Sequence, residues 1–154
     1  MRFAAALLVL AWAGAAGAET PALGHAQTVY AMRCAGCHGL EGVSPPAVVP
    51  ALRGQVGGFL CLQEGRDYLV RVPGVALSLV GDDDLAAVMN FVAFTLGGAS
   101  TPSGTAPFDA AEIARLRREP LNEVSLRAYR ATLVERAIVD CGAPAGLRAY
   151  GTAE

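Results

Sequence analysis

Cys34-Ala35-Gly36-Cys37-His38 is the stretch of this chain best equipped for chemistry. Two thiols one helical turn apart can form thioethers to the two vinyl groups of a haem, and the imidazole that follows can reach the iron. A thioredoxin-like redox pair or half of a zinc site would use the same C-x-x-C spacing. A redox pair needs no histidine directly after it and sits in a βαβ setting, while zinc needs a second pair of ligands. Neither is visible: the other histidine is His25, and the remaining cysteines, Cys61 and Cys141, lie far apart. The string predicts a covalently held haem and, with it, redox chemistry.

The start of the chain bears on where such chemistry can occur. Met1-Arg2 followed by an apolar stretch from Phe3 to about Ala13, then Ala16-Gly17-Ala18, has the layout of a secretory signal peptide over residues 1–18. Cleavage after Ala18 would release a mature chain beginning at Glu19, with no later segment apolar and long enough to stay in a bilayer. A periplasmic or otherwise exported product is expected, without stable membrane insertion. Covalent haem attachment in bacteria occurs outside the cytoplasm, so the two readings agree.

Composition sets bounds. With 6% aromatic residues the chain has few large core formers, and its one tryptophan, Trp12, falls in the signal. A haem would supply the missing apolar centre of a small domain. The net charge of -2 and a basic complement made only of Arg give no nucleic-acid footprint.

The elements that must position the motif can be sketched from periodicity. A helix over about Gln27 to Met32 leads into it, and the Gly- and Pro-rich stretch from Gly39 to Gly58 must wrap something rather than form regular structure. Within that stretch, Pro50-Ala51-Leu52-Arg53-Gly54 could bring a backbone carbonyl to the His38 ring, fixing its tautomer and raising its basicity. A helix over Arg66 to Val70 and a turn at Val72-Pro73-Gly74 follow. Asp82 reads as an N-cap, with Leu85, Val88, Met89, Val92 and Leu96 at helical spacing behind it and Gly97-Gly98 as the stop. The acids Asp82-Asp83-Asp84 suit a helix N-terminus better than a metal site.

Together these features resemble the class I mono-haem c-type cytochrome family over about residues 24 to 97. The resemblance rests on Gly24 and Tyr30 ahead of Cys34-x-x-Cys37-His38-Gly39, Pro50-x-Leu52-x-Gly54, Pro73-Gly74 and the helix from Asp82 to about Leu96. It implies an all-α, cytochrome c-like domain in which the first and last helices cross over one haem. Cys34 and Cys37 would hold the porphyrin, and His38 would be the proximal iron ligand.

The departure matters as much as the match. Most family members carry a Met in the loop before the last helix, often just after Pro-Gly, as second axial ligand. Here Pro73-Gly74 is followed by Val75-Ala76-Leu77. Of the two methionines beyond the signal, Met32 precedes the motif on the proximal helix, which leaves Met89 as the candidate distal ligand. Its place in an apolar stripe points to core filling before ligation. His25 and Asn90 are more remote candidates. A distal pocket of Val75, Leu77 and Val80 would be apolar, with no His or Arg to assist peroxide chemistry.

Beyond the haem domain, residues 19–98, a linker-like Ser100-Thr101-Pro102-Ser103-Gly104 opens a helical C-terminal extension, residues 99–154. Asp109-Ala110-Ala111-Glu112 reads as a capping box for a helix through Arg118, broken at Pro120. A second helix over Leu121 to Val139 would align Leu126, Tyr129, Leu133 and Ala137, with Arg127, Arg130, Glu135 and Arg136 largely on other faces. An added layer on the haem domain is the simpler use of that stripe; a docking surface is the alternative, with Arg115, Arg117 and Arg118 steering an acidic partner. Cys61 and Cys141 either pair or stay apart as buried thiols.

Two functions fit. The family resemblance implies an exported electron carrier between redox protein partners, a dehydrogenase as donor and an oxidase or other cytochrome as acceptor. The missing loop Met leaves open a five-coordinate haem protein that binds a small gas or other ligand. Neither is an enzyme by itself.

Overall fold

The computed structural model describes residues 23–44 and 49–152, with the side chains of 151 and 152 left aside. The expected signal, with its cleavage site at Ala16-Gly17-Ala18, lies outside the described residues. Every regular element among those described is helical, and the fold is all-α. No helix among them is long and apolar enough to cross a membrane.

Helix α1, His25–Arg33, starts at Gly24, whose N–H donates to the Gln27 side chain at 2.9 Å. It buries Val29 and Tyr30. The chain breaks at Cys34 and resumes at once as α2, Ala35–His38, so the motif is itself one helical turn. Gly39 then takes φ +71°, where a side chain would strike the Val43 carbonyl, and the turn reverses the chain. The Tyr30 hydroxyl donates to the Gly39 carbonyl at 2.8 Å, tying α1 to the end of the motif.

A 3₁₀ turn, Val56–Cys61, begins inside the Gly- and Pro-rich stretch expected to be irregular to Gly58, and helix α3, Gln63–Arg71, and a one-turn helix α4, Pro73–Ala76, follow it. The expected Arg66–Val70 helix is thus longer at both ends. The expected turn at Pro73 is helical because Pro suits a first helical position. Helix α5 runs Asp82–Asn90 and continues with wider i to i+5 hydrogen bonding over Phe91–Leu96. Its N-cap is Gly81 rather than Asp82, which takes the first helical position; all three acids still sit where the helix dipole favours them. Leu85, Val88, Met89, Val92 and Leu96 are all buried, and Phe91 packs against Tyr30 with ring centroids 5.3 Å apart. Each such side chain removed from water contributes roughly 1.5–3 kcal/mol before entropy is set against it.

Helices α6, Ala110–Leu116, and α7, Leu126–Cys141, pack on this frame, and α8, Arg148–Thr152, folds back on α7. Ile113, Leu116, Leu133, Val134 and Ala137 join the same buried cluster as Tyr30 and Val88. Only half of the expected capping box forms. Asp109 accepts from the Glu112 N–H at 2.8 Å, but the Glu112 carboxylate turns to Arg66, which binds it through two contacts of 2.7 Å. Helix α7 begins five residues later than its apolar pattern suggested. Leu121 lies outside the helix, its N–H donating to the Arg71 carbonyl at 2.8 Å, and Ser125 caps the helix. Gly142, at φ +70°, ends it.

Cys61 and Cys141 are disulfide-bonded, with Cα atoms 6.3 Å apart. The bond ties the 3₁₀ turn to the end of α7.

Candidate functional site

The helical turn α2 and the wrapping segment bring the predicted site residues together. The Cys34 and Cys37 thiols are unbonded, Cys34 half-buried and Cys37 exposed. The His38 Nδ1 lies 3.2 Å from the Pro50 carbonyl, the partner anticipated from the Pro50–Gly54 segment. That contact commits Nδ1 as donor and leaves Nε2 as the nitrogen able to meet a metal. Burial depresses the His38 pKa despite the Pro50 hydrogen bond, favouring the neutral imidazole that a metal ligand must be. Burial, with the neighbouring Cys37, pushes the Cys34 thiol up.

Two adjoining cavities open from these residues. The larger, about 360 Å³, is bounded by Cys34, Cys37 and His38 on one side and by Tyr68, Leu69 and Val72 of the α3 region on another. Leu126, Arg130 and Tyr150 complete its wall, so residues beyond 98 help to build it. The smaller, about 80 Å³, shares Arg33, Cys34, His38, Gly74 and Val75 with the first and runs in beneath α5. A partly apolar cleft beside two free thiols and a neutral imidazole fits a covalently attached haem. A third cavity, about 520 Å³, surrounds the disulfide and contains none of the motif residues.

Candidates for a second ligand separate clearly. Met89 is buried and lines the smaller cavity among Leu85, Val88 and Val92. Met32 is 69% exposed on α1. The His25 ring pairs with Asp84 at 2.7 Å on an exposed patch and lines neither cavity. Asn90 is occupied on both ends of its amide: it donates to the Phe108 carbonyl at 2.9 Å and accepts from the Phe108 N–H at 2.7 Å. Of the three apolar residues expected to form a distal pocket, Val75 and Val80 line the cavity, but Leu77 is 66% exposed. The chain alternates here: Leu77 and Leu79 face outward, and the Ser78 hydroxyl between them is buried.

Three residues of the site are not apparent from the sequence pattern. That pattern places Arg130 on an outer face of α7, yet Arg130 is 7% exposed, bonded to Tyr68 and set in the cleft wall. A signal is present, since Arg130 stands four residues after Leu126 and four before Val134. Tyr150 is buried, and its hydroxyl is pushed far up by that burial and by Tyr68. Arg117, expected in a basic docking cluster, turns inward instead. It donates to the carbonyls of Ala76 (3.1 Å), Val80 (2.7 Å) and Ser78, and to the Asp82 carboxylate (2.9 Å). No sequence periodicity signals that clamp, because three of its acceptors are backbone carbonyls.

No protein-family profile matches the chain. It is similar to cytochrome c-552 of Thermus thermophilus, with 33% identity over 123 aligned residues that cover 68% of this chain and 93% of the relative. Against a second cytochrome c-552, from a particular strain of the same species, the identity is also 33% over 123 residues, covering 82% of that relative.

Proposed function

The chain belongs to the c-type cytochrome family, and from that premise we propose that it is an exported single-haem carrier of electrons between redox proteins in the periplasm. The observation that carries this reading is the convergence of Cys34, Cys37 and His38 on one cleft, with the His38 Nδ1 held by Pro50. When bound, the haem supplies reversible one-electron chemistry. The protein's part is to hold it. Cys34 and Cys37 would hold it through thioethers, and His38 would offer its Nε2 to the iron. The Pro50 carbonyl fixes the ring and raises its donor strength. Tyr68, Leu69 and Val72 would screen one side of the group from water, and the exposed Cys37 would keep an attachment edge near the surface where a partner can approach. The partners are a dehydrogenase as donor and an oxidase or another cytochrome as acceptor. In this reading Met89 is the candidate sixth ligand.

The test is an optical spectrum of the purified holoprotein, ferric and ferrous, with and without carbon monoxide, repeated on Met89→Ala. A low-spin spectrum with a thioether-to-iron band, indifferent to carbon monoxide and lost in the variant, is the expected result. A high-spin spectrum that shifts at once with carbon monoxide would overturn the closed six-coordinate carrier.

A second reading, an open haem face that binds a small ligand, is favoured by one observation. The segment from Pro73 to Gly81, which borders the smaller cavity through Gly74, Val75, Ser78 and Val80, carries no methionine.

A further inference from the structure

The carbonyl of Pro50 meets two side chains. The His38 Nδ1 lies 3.2 Å from it, and the Ser44 Oγ donates to the same oxygen at 3.3 Å. A carbonyl oxygen has two lone pairs and can accept from both. Both donors withdraw electron density from one atom, so each bond weakens the other.

The backbone brings Ser44 to that place. The Gly42 carbonyl accepts from the N–H groups of Leu52 at 2.8 Å and Arg53 at 3.0 Å. That pairing sets Gly42 against Leu52 and carries Ser44, two residues later, to Pro50, two residues earlier. The Arg53 side chain adds a bond to the Glu41 carbonyl at 2.5 Å, and the Gly54 N–H donates to the Leu96 carbonyl at 2.8 Å. Hydroxyl and carbonyl therefore belong to one braced turn, with Ser44 half-buried in it.

The consequence reaches the iron ligand. A carbonyl that accepts from Nδ1–H pushes electron density through the ring to Nε2, and an electron-rich imidazole favours the more highly charged ferric iron. A hydroxyl that takes up part of the carbonyl's accepting capacity reduces that push and favours the ferrous state.

We propose that Ser44 acts through Pro50 as a positioning residue for His38, and that its hydroxyl raises the reduction potential of the haem by sharing the carbonyl. The proposal rests on the six-coordinate carrier reading above, with His38 as a ligand. The couple it tunes is a one-electron change at the iron: no bond forms or breaks, Nδ1 keeps its proton, and the electron comes from one redox protein and leaves to another.

The experiment uses the holoprotein of the wild type, Ser44→Ala and Ser44→Thr. The reduction potential is measured by optical titration against a reference couple, and the His38 Nδ1–H proton resonance is recorded in the low-spin ferrous state. Ser44→Ala should shift the equilibrium about threefold towards ferric, a fall of ~28 mV at about 59 mV per tenfold for one electron. That is the lower end for a neutral hydrogen bond, because the contact is long. The Nδ1–H resonance should move downfield as its bond to Pro50 strengthens, and Ser44→Thr, which keeps the hydroxyl, should restore both values. An unchanged or higher potential in Ser44→Ala, or a lower one with the Nδ1–H resonance unmoved, would overturn the role of Ser44 while leaving the carrier standing. A wild type whose ferrous spectrum is high-spin would overturn the six-coordinate carrier and the proposal with it.

Discussion

The guanidinium of Arg117 stands 2.9 Å from the carboxylate of Asp82, joining the end of α6 to the first residue of α5 across 35 positions of sequence. Between them passes the loop that borders the smaller cavity. The chain beyond residue 98 therefore reaches the candidate cleft twice, by bracing this loop with Arg117 and by closing the wall of the larger cavity with Leu126, Arg130 and Tyr150.

Replacing Arg117 by Gln should release that loop. Three carbonyls and one carboxylate lose a charged donor, and an unmet buried acceptor costs about 1–3 kcal/mol. A net loss of about 2–4 kcal/mol in denaturant unfolding is expected, together with faster amide exchange at Leu77 and Ser78. Exchange at those amides as slow as in the wild type would show that the loop is held by other means.

Arg66 and Glu112 form a fork in a poorly solvated place, with side chains 11% and 17% exposed, and the guanidinium also lies 3.8 Å from the centre of the Phe108 ring. Breaking such a pair from one side leaves an uncompensated charge, so Arg66→Met should cost about 3 kcal/mol or more. Removing both charges in Arg66→Met with Glu112→Leu should recover much of that loss. The full double-mutant cycle of unfolding free energies measures the coupling; strict additivity of the two single losses is the outcome that contradicts it.

The bond between Cys61 and Cys141 closes a long loop, at a sequence separation of 80. Cys61→Ala with Cys141→Ala should lower stability by roughly 2–4 kcal/mol, chiefly by enlarging the unfolded ensemble. Limited proteolysis of the variant should cut first within residues 142–150. The haem spectrum should be retained, because neither cysteine lines the cavities bordered by His38.

Burial raises the Tyr30 pKa to about 12, with smaller contributions from Cys34 and Glu41 opposed by Arg53. The unfolded chain ionises this phenol near pH 10 and the folded chain near 12, so between these values the unfolded state holds fewer protons. Stability is then complete below about pH 10 and falls as pH rises through 12. Unfolding measured from about pH 9 to 12 should show that fall, and Tyr30→Phe should reduce it, leaving the share that burial of Tyr68 and Tyr150 contributes in the same direction. The variant should also lose about 1 kcal/mol at neutral pH, since the Gly39 carbonyl forfeits its donor.

What the sequence determined by itself is chemistry that is contiguous. Cys34, Cys37 and His38 fall within one helical turn, so their spacing alone states what they can bind, and the Pro50 carbonyl could be anticipated because a tight Gly- and Pro-rich segment has few ways to return to that turn. The stripe from Leu85 to Leu96 was legible for the same reason, as a local period. Tertiary structure decided the rest. Whether Cys61 meets Cys141, that Glu112 leaves its cap for Arg66, that Arg130 is buried beside Tyr68, and that the Ser78 hydroxyl is buried while Leu77 and Leu79 face out all depend on contacts between distant segments. A side chain's role there is set by which partner reaches it first in the packed chain, and a one-dimensional pattern carries no record of that distance.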